Sequence, residues 1–275
     1  MIVDAHFHCW QLARGDYGWL TPELGAIHRD VAVEDWAREA RPLGVQGGVL
    51  VQAAPTEAET QFLLAQASTH DAVLGVVGWV DLLADDAPER IARLAAAQPL
   101  LKGLRPMLQD IADPDWILQP RLSPALTAIA QHDLVFDALV KPLHLPRVLE
   151  LCQRHPALRV VIDHGAKPDI GRAQWQPWAG DMMRIAAQTS AMCKLSGLLT
   201  EAGPLPAAAA VRRWAEHLLQ AFGAQRLLWG SDWPVLELAA SYRAWWHEVQ
   251  ALLSSLASAE RAAVLGGNAR RVYRL

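Results

Sequence analysis

Two segments of this chain carry residue types that can do acid–base or metal chemistry together, and they lie near its opposite ends: Asp4-Ala5-His6-Phe7-His8 and Leu228-Trp229-Gly230-Ser231-Asp232. Each closes a short apolar run of the kind that forms a strand. His6 and His8 stand at i and i+2, so on an extended chain both imidazoles leave the same face. His164 ends a third such run, Arg159-Val160-Val161-Ile162-Asp163, in which alternation turns Asp163 toward the helices. Three imidazoles and one carboxylate permit two chemistries. The set can hold one divalent metal, zinc favoured by the nitrogen ligands, through His6, His8 and Asp232. It can equally work with no cofactor, Asp232 taking a proton from water while His6, His8 and His164 polarise a carbonyl. Both routes lead to hydrolysis at a carbonyl carbon. The bland alternatives are hydrogen-bonded core histidines and a turn or capping aspartate.

Residues so far apart in sequence share a site only if the chain closes a ring. Eight apolar runs can be counted: Ile2 to His8, Gln46 to Gln52, Leu74 to Val80, Leu101 to Arg105, Leu134 to Leu139, Arg159 to His164, Met192 to Gly197 and Leu227 to Asp232. Helical apolar spacing fills the gaps, as in Glu57 to Ser68, Ala87 to Ala97, Leu145 to Arg154, Asp181 to Thr189 and Ala207 to Phe222. Strand then helix, repeated, with nearly all-apolar strands, predicts a parallel sheet buried on both faces. The fold class is therefore α/β, a (β/α)8 TIM barrel in one domain over residues 1–275, with the strand C-termini gathered at one mouth. The stretch His8 to Asp30 reads as a flap over that mouth, and Gly165 to Trp178 as a second long loop. A tail helix is expected over Leu238 to Leu253, and Gly266-Gly267 suits a helix C-terminus. Cys9 is turned away from the histidines by alternation.

Composition narrows the partners. With 275 residues, 52% apolar and 20% charged, the chain is that of a globular protein. A net charge of -4 and the lack of any Lys/Arg cluster argue against nucleic acid and leave a small molecule as the partner. No apolar stretch reaches the roughly 18 to 20 residues that span a bilayer, and no basic leader precedes the first strand, so a cytoplasmic location is expected. Cys9, Cys152 and Cys193 form no CxxC pair and suggest neither disulfides nor a cysteine zinc site. Among the twelve tryptophans, Trp10, Trp19, Trp79 and Trp233 fall at or just after strand ends, where a flat apolar wall could line a pocket. Gly-x-Ser-x-Gly and Gly-rich phosphate loops are missing.

These residues carry a family resemblance. The chain resembles the amidohydrolase superfamily, in particular its amidohydrolase-related branch with sugar-lactone hydrolases of the L-fuconolactonase and L-rhamnonolactonase types and 2-pyrone-4,6-dicarboxylate lactonase. The similarity runs nearly end to end: Asp4 to Trp10, Val51-Gln52-Ala53 with Glu59-Thr60, Gly78 to Leu82, Lys102 to Arg105, Asp163 to Pro168, Lys194 to Gly197 with Thr200-Glu201, Trp229 to Pro234 and Gly267 to Tyr273. By that resemblance His6, His8, His164 and Asp232 correspond to the catalytic set. Metal-rich members place a carboxylated lysine on strand four and a histidine on strand five. Here Lys102 lies in strand four but strand five has no histidine, which implies at most one metal ion, and His144 is a distant substitute ligand. Ala166 replaces a usual glycine of the Asp-His-x-Gly-Lys-Pro motif.

The expected function is a hydrolase that opens a small lactone, a sugar aldonolactone, with water activated by Asp232. Arg105, Trp19 and Trp79 are the expected substrate contacts, although an arginine at a strand end can equally pair with a structural carboxylate. A metal-dependent decarboxylase of the same broad family is the alternative.

Overall fold

A computed structural model describes residues 1–203 and 207–275. In it the apolar runs form eight strands: β1 (Ile2–Phe7), β2 (Val45–Val51), β3 (Val73–Gly78), β4 (Leu101–Leu104), β5 (Val135–Ala138), β6 (Arg159–Ile162), β7 (Met192–Leu195) and β8 (Leu227–Trp229). Each pairs in parallel with the next in chain order. The helices α1 (Val33–Ala40), α2 (Glu57–Ser68), α3 (Ala87–Ala97), α4 (Ser123–Gln131), α5 (Leu145–Arg154) and α6 (Trp178–Gln188) follow β1 to β6. A short α7 (Leu198–Glu201) and α8 (Ala207–Phe222) follow β7, α9 (Tyr242–Leu252) follows β8, and α10 (Ser258–Ala262) and α11 (Asn268–Tyr273) end the chain. No described helix is long and apolar enough to cross a membrane.

The ring between β8 and β1 closes beyond the end of β8. The Asp232 N–H donates to the His6 carbonyl at 2.8 Å, and the His8 N–H donates to the Trp233 carbonyl at 2.8 Å. The turn that bears Asp232 is thus itself the last rung of the barrel, which is the (β/α)8 fold expected from the sequence. Inside, Val3, Ala5, Val49, Val51, Val77, Val135, Val161, Met192 and Leu228 fill the lower part, and Ala269, Val272 and Tyr273 of α11 plug the floor. The histidines His6, His8 and His164 and the carboxylate of Asp232 lie above this apolar layer, toward the strand C-termini.

Three local expectations change. The strands stop earlier than the apolar runs, because His164 and Asp232 adopt left-handed φ of 52° and 59° and leave the ladder. Asp163 points into the barrel, since it is in phase with the inward Val161 and only the turn at His164 brings the next side chain round to the same space. In β1 the pairing slips between Asp4 and Phe7, so that the inward Ala5 is followed directly by the inward His6. At the tail, Gly266 with an extended φ of 166° breaks the helical path before α11 begins. The chain passes through a π-type turn into α11, with Gly266 so close to the Met1 carbonyl that a Cβ would stand 2.5 Å from its oxygen.

Candidate functional site

The bulge in β1 and the turn after β8 bring His6, His8 and Asp232 together, and the left-handed turn after β6 adds His164. Asp232 Oδ1 lies 3.3 Å from His8 Nε2, 3.6 Å from His6 Nε2 and 3.7 Å from His164 Nε2. All four are buried. Among the described residues no lysine or arginine nitrogen comes within 4.0 Å of this carboxylate; its only cationic-type neighbours are imidazoles. Burial would raise the Asp232 pKa, but His164, His8 and His6 outweigh it and hold the carboxyl well below its ordinary range.

Asp232 is placed by Asp4, one strand-face away. The Asp4 carboxylate accepts from the Ser231 N–H (2.8 Å), the Ser231 hydroxyl (2.6 Å), the His6 N–H (3.2 Å), Trp36 Nε1 (2.9 Å) and the Tyr242 hydroxyl (2.9 Å). It therefore ties β1, α1, α9 and the turn that bears Asp232 to one point. A Cβ on Gly230 would stand 2.9 Å from the His6 Cβ, so the turn can pass this close to β1 only with glycine there.

Beneath the histidines is a charged layer in which Arg105, an expected substrate contact, pairs with a buried carboxylate, and in which Lys194 and Asp137 had been assigned no role. Lys194 Nζ lies 2.5 Å from Asp137 Oδ2, 2.9 Å from Asp163 Oδ1 and 3.1 Å from His6 Nδ1. Arg105 donates from Nη1 to Asp163 Oδ2 at 3.2 Å, and from Nε and Nη2 to Gln52 Oε1 at 3.1 and 2.9 Å. Two carboxylates thus face two cations, which is how buried charge is tolerated. Burial pushes the Asp163 pKa up, but Lys194, His6 and Arg105 together hold it far below the usual carboxylate range. The signal was present in the sequence: Lys194 in Met192-Cys193-Lys194-Leu195 and Asp137 in Val135-Phe136-Asp137-Ala138 are single charges inside four-residue buried strands.

A cavity of about 410 Å³ opens above these groups. His8, His164, Asp232 and Arg105 form its base, and Trp19, Leu24, Met107, Leu139, Val235 and Leu238 its apolar wall. Gln109, Asp110, Lys167, Thr200 and Glu201 supply the polar side. Trp19 is held by its Nε1–H to the Ala53 carbonyl at 2.7 Å, and the Ala53 and Ala54 N–H groups are held in turn by the buried Glu59. The segment between β1 and α1 thus contributes Trp19 and Leu24 to the wall. Trp79 is not there. Thr60 grips both its N–H and its carbonyl, strand alternation ends at Gly78, and the indole lies outside the barrel in a groove between α2 and α3. Trp10 and Trp233 are buried in the outer core, where Cys9 also packs. Lys102 points to the opposite end of the barrel, bonding the Arg274 carbonyl, and His144 caps a local turn through the Lys141 N–H.

The donor set suits a single metal ion. Two atoms bound to a tetrahedral zinc at about 2.0–2.1 Å lie roughly 3.3–3.4 Å apart. His6 Nε2, His8 Nε2 and Asp232 Oδ1 are separated by 3.2, 3.3 and 3.6 Å. His8 Nδ1 donates to the Val51 carbonyl at 2.7 Å, which leaves the Nε2 lone pair turned inward as a ligand requires. A second grouping, His6, Asp163 and His164, shares His6 with the first, and its Asp163 is already committed to Arg105 and Lys194.

The chain is similar in sequence to known proteins. An L-fucono-1,5-lactonase of Burkholderia ambifaria is 48% identical over 99% of this chain and 95% of its own length. A second L-fucono-1,5-lactonase, from Burkholderia multivorans, is 35% identical over 99% of the chain and 96% of its own length. A crystal structure of an amidohydrolase from Burkholderia multivorans with bound zinc superposes with a TM-score of 0.95 at 34% identity, covering 100% of this chain and 99% of that one. The profile of the family described as Amidohydrolase matches residues 3–275, and the chain belongs to that family.

Proposed function

We propose that this protein is a hydrolase that opens a sugar aldonolactone, L-fucono-1,5-lactone or a close relative, in the cytoplasm. The observation that carries the reading is Asp232: a buried, ionised carboxylate with no lysine or arginine nitrogen within 4.0 Å among the described residues, ringed by imidazoles at the base of a sugar-sized cavity. Such a group is ionised at neutral pH and stands where it can meet the proton of a bound water. The identity to two lactonases supports the substrate class, and the lining fits it. The polar side formed by Lys167, Thr200, Glu201 and Gln109 suits ring hydroxyls, while Leu24, Met107, Val235 and Leu238 suit the methyl group of a deoxysugar.

In the mechanism, water held against Asp232 gives up a proton to Oδ1 as its oxygen adds to the lactone carbonyl. The imidazoles beside Asp232 stabilise the negative charge that grows on the carbonyl oxygen. The carbon–ring-oxygen bond then breaks, the departing oxygen takes the proton back from Asp232, and an open hydroxy acid is released. Arg105, fixed by Gln52 and Asp163, presents a rigid positive edge at the cavity base. If a zinc ion is bound by His6, His8 and Asp232, it supplies a Lewis acid for the same carbonyl. The direct test is a pH-indicator assay over a panel of sugar lactones, with and without chelator. Opening L-fucono-1,5-lactone supports the assignment; a purified protein that opens no lactone refutes it.

Two further expectations arise from the site. His164 is held down to about 4 by burial, against the pull of Asp232 and Asp163 and with help from Lys167 and Arg105. Its imidazole is therefore neutral above about pH 4, and kcat/KM should stay level through neutrality and fall only as the pH approaches that value. An acid limb centred at the ordinary histidine value near 6.5 would contradict this. Gly197 has a φ of +65°, and a Cβ there would stand 2.7 Å from His164 Nδ1. Gly197→Ala should displace the ring and lower kcat/KM by about tenfold to a hundredfold, with a smaller effect on the melting temperature. A variant with unchanged kinetics would show that His164 tolerates displacement.

A further inference from the structure

We infer that Glu59 is a positioning residue that aims Arg105 and Trp19 into the cavity through two peptide planes at the end of β2. The local sequence alone would give it a smaller task. Thr56-Glu57-Ala58-Glu59 has the spacing of a capping box, in which the glutamate at the third helical position turns back to the backbone N–H of the capping residue. The threonine half of that device is present: the Thr56 hydroxyl accepts from the Glu59 N–H at 3.0 Å and donates to Asp16 Oδ2 at 2.9 Å. The glutamate half is not. The Thr56 N–H goes to the Ala54 carbonyl at 3.0 Å, and the fully buried Glu59 carboxylate reaches past it to Ala53 and Ala54. A helix cap works with a solvated carboxylate, so the burial of this one calls for another reason.

The reason lies on the far edge of the peptides it grips. Oε1 and Oε2 each accept from the Ala53 N–H at 3.0 Å, and Oε2 accepts from the Ala54 N–H at 2.6 Å. Both peptides are trans and planar, with N–H and carbonyl pointing in opposite directions, so fixing one edge aims the other. The Ala53 N–H shares its peptide with the Gln52 carbonyl, which accepts from Arg105 Nη2. The Ala54 N–H shares its peptide with the Ala53 carbonyl, which accepts from Trp19 Nε1 at 2.7 Å. One carboxylate on α2 thus orients a residue in the base of the cavity and another in its wall. Burial pushes the Glu59 pKa up to about 7 against the pull of the Ala53 and Ala54 N–H groups, and a protonated carboxyl still keeps one oxygen that only accepts, so the grip outlasts protonation. Asp232 is held independently, through Ser231 and Asp4, so the loss of Glu59 should fall on substrate binding more than on turnover.

The kinetic part of this inference rests on the lactonase reading and the structural part does not, so the two are tested separately. In protein labelled with 15N-tryptophan, the Trp19 indole cross-peak, assigned by its loss in Trp19→Phe, should move in Glu59→Ala and exchange faster with water. The cross-peak of Trp178, whose indole bonds the Gly165 carbonyl beyond β6, across the barrel from β2, should stay in place. With L-fucono-1,5-lactone the same variant should lose about tenfold or more in kcat/KM, mostly as a higher KM. A Trp19 signal that does not move in the folded variant, or that moves together with Trp178, overturns the inference, and so does a KM unchanged from that of an active wild type. A wild type that opens no lactone refutes the lactonase reading alone, and the indole signals then decide. Should Glu59→Ala fail to fold, Glu59→Gln, which keeps one acceptor oxygen, should show the same changes at smaller size, and an unmoved Trp19 signal there overturns the inference as well.

Discussion

Asp232→Asn is expected to lower turnover of the lactone by at least about 100-fold while leaving the fold and substrate affinity close to wild type. The amide is nearly isosteric but cannot take the water's proton at neutral pH. General acid–base groups contribute roughly 100-fold to 10,000-fold, and 100-fold corresponds to about 2.7 kcal/mol of transition-state stabilisation. The loss should appear in kcat, because the substrate is gripped mainly by the cavity wall and not by the carboxylate. Among the described residues Asp232 also has no lysine or arginine nitrogen within 4.0 Å, so neutralising it strands no such cation, and the melting temperature should hardly move. The measurement is steady-state kinetics with a thermal melt on the same preparation. A variant retaining more than about a tenth of wild-type turnover would remove Asp232 from the role of base. A wild-type protein that leaves lactones intact but releases CO₂ from an aromatic or enoic acid would transfer the function to a decarboxylase on the same barrel.

The second large effect is on stability. Asp4→Ala removes the acceptor of the buried Trp36 indole N–H and Tyr242 hydroxyl and of the Ser231 and His6 backbone N–H groups, and leaves the Ser231 hydroxyl only its longer bond to the His6 carbonyl at 3.3 Å. A buried donor left without a partner costs about 1–3 kcal/mol. The Trp36 and Tyr242 side-chain donors with the Ser231 N–H together set a loss of at least about 3 kcal/mol, enough to lower the melting temperature by roughly 6 °C or more. Asp4→Asn keeps one acceptor oxygen and should lose less, giving the order wild type, Asn, Ala. Because Ser231 hangs from Asp4 and Asp232 follows Ser231, the folded fraction of Asp4→Ala should also turn over more slowly. Urea unfolding combined with kinetics checks both parts; an Ala variant within about 1 kcal/mol of wild type would mean that water replaces the carboxylate.

The barrel was legible because its pattern is local and repeated. Short apolar runs alternating with helical spacing admit few architectures, and the runs starting at Ile2, Leu101, Arg159, Met192 and Leu227 begin where their strands begin. His6 and His8 could be assigned a common face because an alternation of two survives the bulge in β1. The expectations that changed concern residues at or past strand ends, where alternation no longer dictates direction. Asp163 faces inward because its phase follows Val161, and Trp79 is turned outward because Thr60 grips its backbone. The charged layer could be suspected from single charges in buried strands, but its pairing could not. Lys194 meets His6 across 188 positions of sequence, and Tyr273 meets Asp137 across 136. Which acceptor answers which donor is decided only when eight strands and the terminal helix bring those atoms within about 3 Å of each other in a space that excludes water.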